Sequence, residues 1–157
     1  MTRKTFSKTL SANDVGATGG HQGGILIPKS EAELLSILPS LDPAIKNPDA
    51  WIECMDEGGT VRRFRFVYYN NKLHDVAGTR NEYRITYMTG YFKEMVVRKG
   101  ESFEISRDGN DARYLIRIVR EQNELVESEE HQEVRITIKS TWRRVHCEPP
   151  RNAALDR

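Results

Sequence analysis

The run Thr60–Tyr69 limits the fold of this chain more than any other segment. At its centre Arg63, Phe64, Arg65 and Phe66 alternate charged and aromatic side chains. Successive side chains of a strand point to opposite faces, so this pattern marks a strand with one face in a core and the other in water. Gly58-Gly59 just before it is a turn, and Trp51–Met55 before that is a second extended run. The two form a hairpin. Short runs of the same kind recur at Gln22–Pro28, Tyr83–Met88, Glu101–Ser106, Tyr114–Val119 and Val134–Ile138. Ser106–Asp111 is the loop between two of them. The expected fold is therefore mainly β, an antiparallel, barrel-like sheet of about seven short strands. Two short helices are expected near the barrel ends. One spans Ala32–Leu38, with Leu34, Leu35 and Leu38 on one side and Pro39 as its stop. Ser30 is its expected N-cap, with Glu33 completing a capping box.

The 157 residues suit one compact domain, expected over residues 1–147 with 148–157 as linker or tail. No stretch reaches the roughly 18 apolar residues of a membrane span, so no membrane partner is expected. The first residues lack the apolar run of a signal peptide. Cys54 and Cys147 are far apart and lack metal-ligand spacing, so they read as free thiols of a reducing cytoplasm. The net charge of +1 hides an uneven distribution. Residues 1–30 and 62–99 are basic, at +3 and +6, whereas 31–61 and 100–140 are acidic, at −6 and −4. Basic blocks that share a face could follow a phosphate backbone. A mixed solvated surface would have the same composition.

The common catalytic patterns are absent from the sequence. Gly16–Gly24 is glycine-rich but leads into a strand and lacks the lysine of a phosphate-binding loop. No serine sits in a Gly-x-Ser-x-Gly elbow, and His21, His74, His131 and His146 have no zinc-binding spacing. Pro48-Asp49 with Glu53 begins the pattern of a metal-dependent nuclease, but Met55 stands where that pattern has a lysine. The expectation is no catalytic and no metal site in this chain.

Two segments remain. Leu10–Gln22 gathers Ser11, Asn13, Asp14, Thr18, His21 and Gln22 among glycines. Such a loop can approach a surface closely and present many short donors and acceptors. Thirteen residues is long for a connection in so small a domain. The second segment, Gly78–Arg84, places Arg80, Asn81, Glu82, Tyr83 and Arg84 in succession. Arginine pairs bidentately with guanine, asparagine with adenine, and glutamate accepts from the cytosine amine. A glutamate among arginines suits a base reader better than a phosphate binder. A solvated charge cluster with local salt bridges is the alternative.

The string Leu-Ser-Ala-Asn-Asp-x-Gly-Ala-Thr-Gly-Gly-His-Gln at 10–22, with Ile27-Pro28, Tyr68-Tyr69-Asn70 and Thr79-Arg80-Asn81-Glu82-x-Arg84-Ile85-Thr86, resembles the N-terminal effector domains of EcoRII-type restriction endonucleases. The resemblance covers roughly residues 8–90. It implies a B3-like DNA-binding pseudobarrel whose two arms, about 11–22 and 78–86 here, enter the major groove like a wrench. His21, Arg80, Glu82 and Arg84 match family residues expected to matter for DNA binding, and Asn13, Asp14, Thr18 and Asn81 lie in the same strings. Tyr83 stands where the family pattern has a lysine, and Leu26 where it has a tyrosine. The site implied is CCWGG (W is A or T) or a relative of it.

The resulting expectation is a monomeric, non-catalytic domain in the bacterial cytoplasm. It would bind double-stranded DNA with Ser11, Asn13, Asp14, Thr18, His21, Gln22, Arg80, Asn81, Glu82, Tyr83 and Arg84. It needs no cofactor for binding; Mg2+ belongs only to an associated nuclease domain, in cis or in trans. Lys4, Lys8, Lys72 and the basic strand around Arg62 are candidate phosphate contacts. Three other readings stay open: a free-standing regulator of the same fold, a small nuclease using Asp49, Glu53 and Asp75 with magnesium, and a single-strand binder stacking bases on Tyr68, Tyr69, Tyr83, Tyr87 and Tyr91.

Overall fold

The computed structural model describes residues 3–16, 24–120 and 142–146. Among them the elements run β1 (Arg3–Thr9), β2 (Ile25–Ile27), α1 (Ala32–Ile37), β3 (Asp49–Met55), β4 (Val61–Tyr69), α2 (Asn71–His74), β5 (Glu82–Thr86), α3 (Thr89–Glu94), β6 (Ser102–Asp108), β7 (Arg113–Val119) and β8 (Trp142–Val145). The eight strands form one sheet in the order β2-β5-β4-β3-β7-β6-β1-β8. The expected strands at 22–28, 51–55, 60–69, 83–88, 101–106 and 114–119 all appear, with shifted ends. The run 134–138 lies outside the described residues.

The sheet is mixed, with one parallel pairing among antiparallel ones. The strands β2, β5, β4 and β3 form one antiparallel set, and β7, β6, β1 and β8 form another. The two sets join through a short parallel ladder in which Glu53, Cys54 and Met55 face Arg113, Tyr114 and Leu115. The β6–β7 hairpin thus docks on the first strand of the preceding meander. At the far seam the Trp142 indole N–H on β8 donates to the Leu26 carbonyl on β2, at 3.0 Å. The sheet is nearly closed, and its inner face supplies the core.

Phe64 and Phe66, the aromatic half of the alternation, both point inward and are buried with Phe6, Ile25, Ile27, Ile85, Phe103, Ile105, Ile116 and Trp142. Helices stop the two ends. Leu34 and Ile37 of α1 are buried, and the Ile37 carbonyl accepts bonds from Tyr114 and Arg107 at the β6–β7 turn end. At the other end α3 inserts Tyr91 and Phe92, whose rings meet Phe64 and Phe103. The third helix, α2, was not expected and lies between β4 and β5.

Three further details depart from expectation. Strands β1 and β8 carry no alternation of ordinary hydrophobic type. The β3–β4 turn is organised by the Asp56 carboxylate, which accepts from the Gly58 and Thr60 N–H groups and from Arg62. Helix α1 starts at Ala32, but its cap lies one residue later than Ser30. Its N-cap is Glu31, with no side-chain cap bond, and the Glu31 N–H that a capping box would offer to a side chain donates to the Pro28 carbonyl instead.

Closure through Trp142 is testable. Trp142→Phe keeps an aromatic ring in the core but removes the indole N–H. A stability loss of about 1 kcal/mol is expected from that bond, measured as a shift of the urea midpoint at unchanged slope. Trp142→Ala should cost about 3–5 kcal/mol, because it also empties the core position.

Candidate nucleic-acid interface

The two segments singled out in the sequence are the loops that flank β2 and β5, and these two strands pair with each other. Ile25, Leu26 and Ile27 face Ile85, Arg84 and Tyr83. Glu82, Tyr83 and Arg84 in turn face Tyr69, Tyr68 and Val67 of β4.

The loop between β4 and β5 is built on side-chain amides. Asn70 is fully buried. It exchanges backbone-to-side-chain bonds with Asn47 and donates to the Pro43 and Ile45 carbonyls. Asn71 accepts the Arg80 N–H, and the Lys72 N–H donates to the Arg80 carbonyl. The strand thus returns against the start of α2. A Cβ at Gly78 would lie 2.1 Å from the Asn71 carbonyl oxygen, so only glycine fits where the two limbs touch.

The alternating geometry of β5 then divides the charged cluster. On the outer face, Glu82 Oε1 accepts Arg80 Nε at 3.0 Å and Oε2 accepts Arg84 NH2 at 3.2 Å. The Arg80 guanidinium carbon lies over the Tyr69 ring, 3.7 Å from its centroid. Arg84 also donates to the Gly24 carbonyl at 3.0 Å, which ties this strand to the root of the first loop. Burial raises the Glu82 pKa, but the hydrogen bonds and charges of Arg84 and Arg80 outweigh it and hold the carboxyl below its usual value. On the inner side, Tyr83 stacks on Tyr68 at 4.3 Å and on Phe66 at 5.7 Å. Asn81 accepts from the Tyr68 hydroxyl and from Lys29. Arg80, Glu82 and Arg84 are thus brought together, whereas Asn81 and Tyr83 are engaged on the opposite side of the strand.

The described part of the first loop is a latch. The Asp14 carboxylate accepts from Lys8 Nζ at 2.5 Å and from the Ser11 N–H at 3.0 Å, and the Ser11 hydroxyl accepts the Asp14 N–H at 3.1 Å. The Lys8–Asp14 pair is almost wholly withdrawn from solvent. Asn13 is exposed at the tip of the same turn. Thr18, His21 and Gln22 lie outside the described residues.

Two of the lysines and arginines proposed for phosphate are otherwise occupied. Lys8 is buried on Asp14. Arg62 pairs with Asp56 and Glu94 and covers the Tyr91 ring. Lys72 is exposed, and Lys4 is half-buried. The carboxylates of the nuclease alternative are not gathered. Asp49 pairs with Arg65 on the sheet and Asp75 with Lys46 in the arm. Among the described residues no three His, Cys, Asp or Glu side chains are placed to share a metal ion, and no helix is long and apolar enough to cross a membrane. Of the tyrosines offered for base stacking, Tyr68 and Tyr91 are buried and Tyr87 is exposed.

The sequence marked Tyr69 as a candidate stacking ring and Asn70 as part of a family-like string, but it gave no sign that Tyr69 seats Arg80 or that Asn70 and Asn71 shape the arm. Their position immediately after an alternating strand was the available signal.

The strand order and the two loops define a B3-like pseudobarrel. The fold is shared with the Arabidopsis FUS3–DNA complex, at a TM-score of 0.53 and 20% identity over 73% of this chain and 94% of that one. The B3 domain of the UbaLAI restriction endonuclease with cognate DNA aligns at a TM-score of 0.47, with 23% identity over 74% of this chain and 67% of that one. Residues 2–101 match the family described as the N-terminal region of the restriction endonuclease EcoRII, and the chain belongs to that family. The type II restriction enzyme EcoRII of Escherichia coli is 39% identical over 89 residues, covering 52% of this chain and 20% of that enzyme. The chain therefore corresponds to about a fifth of that curated relative.

Two outcomes follow from the site's ion pairs. Asp14→Ala leaves the Lys8 ammonium buried without its partner, and a loss of about 3–5 kcal/mol is expected. The double variant Lys8→Met with Asp14→Ala should recover most of it in urea unfolding. For Glu82 the folded carboxyl pKa is lowered, so its contribution is fully present above the unfolded carboxylate value, about 4.3. It is lost as pH falls through the lower folded value. Stability of wild type should therefore fall more steeply in acid than that of Glu82→Gln, measured as urea midpoints across the acid range.

Proposed function

We propose that this chain is the DNA-binding effector domain of a restriction endonuclease, and that it reads a short duplex site with two arms in the major groove. The observation that supports this most strongly is the outer-face set Arg80-Glu82-Arg84. Its central carboxylate is held ionised between two guanidiniums, one of them over the Tyr69 ring. Such a set has the donors for guanine and an acceptor for a cytosine amine, in a rigid frame. Arg80 is the leading base contact, and Glu82 either accepts from a cytosine amine or braces the arginines. Ser11 and Asp14 set the shape of the first arm, from which Asn13, Thr18, His21 and Gln22 reach the groove. Asn81 and Tyr83 support the second arm from behind. The proposed target is CCWGG or a relative of it, bound by a monomer. Cleavage and its Mg2+ belong to a nuclease domain acting in cis or in trans.

Competitive gel shifts at fixed, near-physiological salt test the reading, with a CCWGG duplex against a scrambled one. Wild type should prefer the CCWGG duplex. Arg80→Ala should lose about 1–3 kcal/mol of that preference, while its residual, salt-sensitive binding to scrambled DNA changes little. Equal binding to both duplexes by wild type would reject the site. Binding to neither it nor a random-sequence duplex pool would reject DNA recognition altogether.

A further inference from the structure

The outer face that carries Arg80, Glu82 and Arg84 does not end at β5. In register beside Thr86 stands Arg65 of β4, and beside Arg65 stands Trp51 of β3. Arg63 lies two residues along β4 and therefore on the same face. Tyr87 follows β5 directly. Its ring rests on Trp51, with centroids 5.0 Å apart, and the Arg63 guanidinium lies 5.5 Å from the Trp51 ring. Trp51 is 46% exposed and Tyr87 67% exposed. Two large aromatic rings are thus left in water beside a row of arginines.

Tyr87 is also strained. Its φ is +68°, a region that a bulky residue enters only when its surroundings force it. The turn leads the chain into α3 and its buried N-cap Met88, but the Tyr87 ring itself stays exposed. Folding alone would favour glycine at this position. The strain has a use if the ring must stand on the outer face at this point, next to the root of the first arm. A Cβ on Gly24 would come within 2.9 Å of the Thr86 Cα, so Tyr87 begins where that arm leaves the sheet.

We infer that Tyr87, Trp51 and Arg63 form a third contact with duplex DNA, on the sugar–phosphate backbone flanking the bases that the two arms read. This rests on the DNA-binding reading above. The occupant follows from continuity and chemistry. The patch prolongs the arm-bearing face by about three residue steps of β5, on the order of 10 Å, which places it beyond the span of a short core site. Arg65 on this face is satisfied by Asp49. Glu53 lies in register between Arg63 and Arg113, so the local excess is basic. Aromatic faces suit deoxyribose, and one guanidinium suits one phosphate, whereas nothing in the set has the donor pattern of a base edge. The patch therefore adds affinity without sequence information.

The test uses the whole chain, two duplexes and three variants. One duplex holds only the preferred site, and the other extends it by several base pairs on each side. Tyr87→Gly and Arg63→Ala should each weaken binding to the long duplex, on the order of tenfold, and leave the short duplex unchanged. Arg63→Ala should also reduce the slope of log affinity against log salt by about one. Tyr87→Gly should raise the urea midpoint, since it relieves the positive φ. Weaker binding by a more stable protein is an outcome that a merely structural role for the ring does not give. Arg80→Ala should weaken site preference on both duplexes. If wild type binds the preferred duplexes and Tyr87→Gly and Arg63→Ala match it on the long one, the third contact is wrong and the two-arm reading survives. If wild type shows no DNA binding, the underlying reading itself fails.

Discussion

Everything in this domain depends on how one twisted sheet closes on itself. Each antiparallel half combines hairpins with strands that are distant in the chain, β2 on β5 in one and β1 on β6 and β8 in the other. What makes them a barrel is a pair of seams: a three-residue parallel ladder between β3 and β7, and a single indole N–H that reaches from β8 to the Leu26 carbonyl. A ladder of backbone bonds makes the first seam rigid. Among the described residues the second is held by that side-chain bond and by the packing of Trp142 on Phe103. The core is enclosed only when both hold, and the strands that carry the arms, β2 and β5, lie at the second seam. Both arms are thus rooted next to this second seam, where among the described residues no backbone ladder joins β8 to β2.

How much of this was legible in the sequence depends on which physical signal each element carries. Strands β3, β4, β6 and β7 bury ordinary hydrophobic residues at every second position, so alternation revealed them. Strand β1 buries Phe6 but also Thr5, Ser7 and Lys8. Its pattern is hidden because a lysine is paid for by Asp14, six residues further on, and nothing in a local window shows that partner. Strand β8 is four residues long and has Arg143 and Arg144 at its centre. The parallel seam is a long-range pairing with no local signature. Helix α2 is a single turn whose order comes from Asn70 and Asn71 bonding distant carbonyls and amides, so propensity did not announce it.

The arm between β4 and β5 was legible as chemistry before it was legible as shape. Its residue types pointed to base recognition, but the division of labour among them needed the strand. Once β5 is extended, Glu82 and Arg84 must share one side and Tyr83 the other; Arg80 joins the first through its bond to Glu82, and Asn81 the second through the Tyr68 hydroxyl. The inward pair then works as a foundation: Tyr83 extends the aromatic stack of Phe66 and Tyr68, and Asn81 caps it through the Tyr68 hydroxyl. The lysine that the family pattern has at the Tyr83 position would have to leave that stack, so the departure noted in the sequence strengthens the seat of the arm. On the outer side Glu82 removes the mutual repulsion of two arginines and fixes their planes, which lowers the entropy lost when they meet a ligand.

The missing side chain at Gly24 has a geometric consequence. The backbone there presses so close to β5 that a Cβ would sit 2.2 Å from the Ile85 carbonyl oxygen. The root of one arm and the strand of the other are therefore welded, with the Arg84 bond to the Gly24 carbonyl as a second rivet. Jaws mounted on a common plate have a fixed gauge. The distance between the roots of the two arms is set by the protein and does not stretch to suit what lies between them. Under the two-arm reading proposed above, the length of a target would then be selected by the fold as well as its bases.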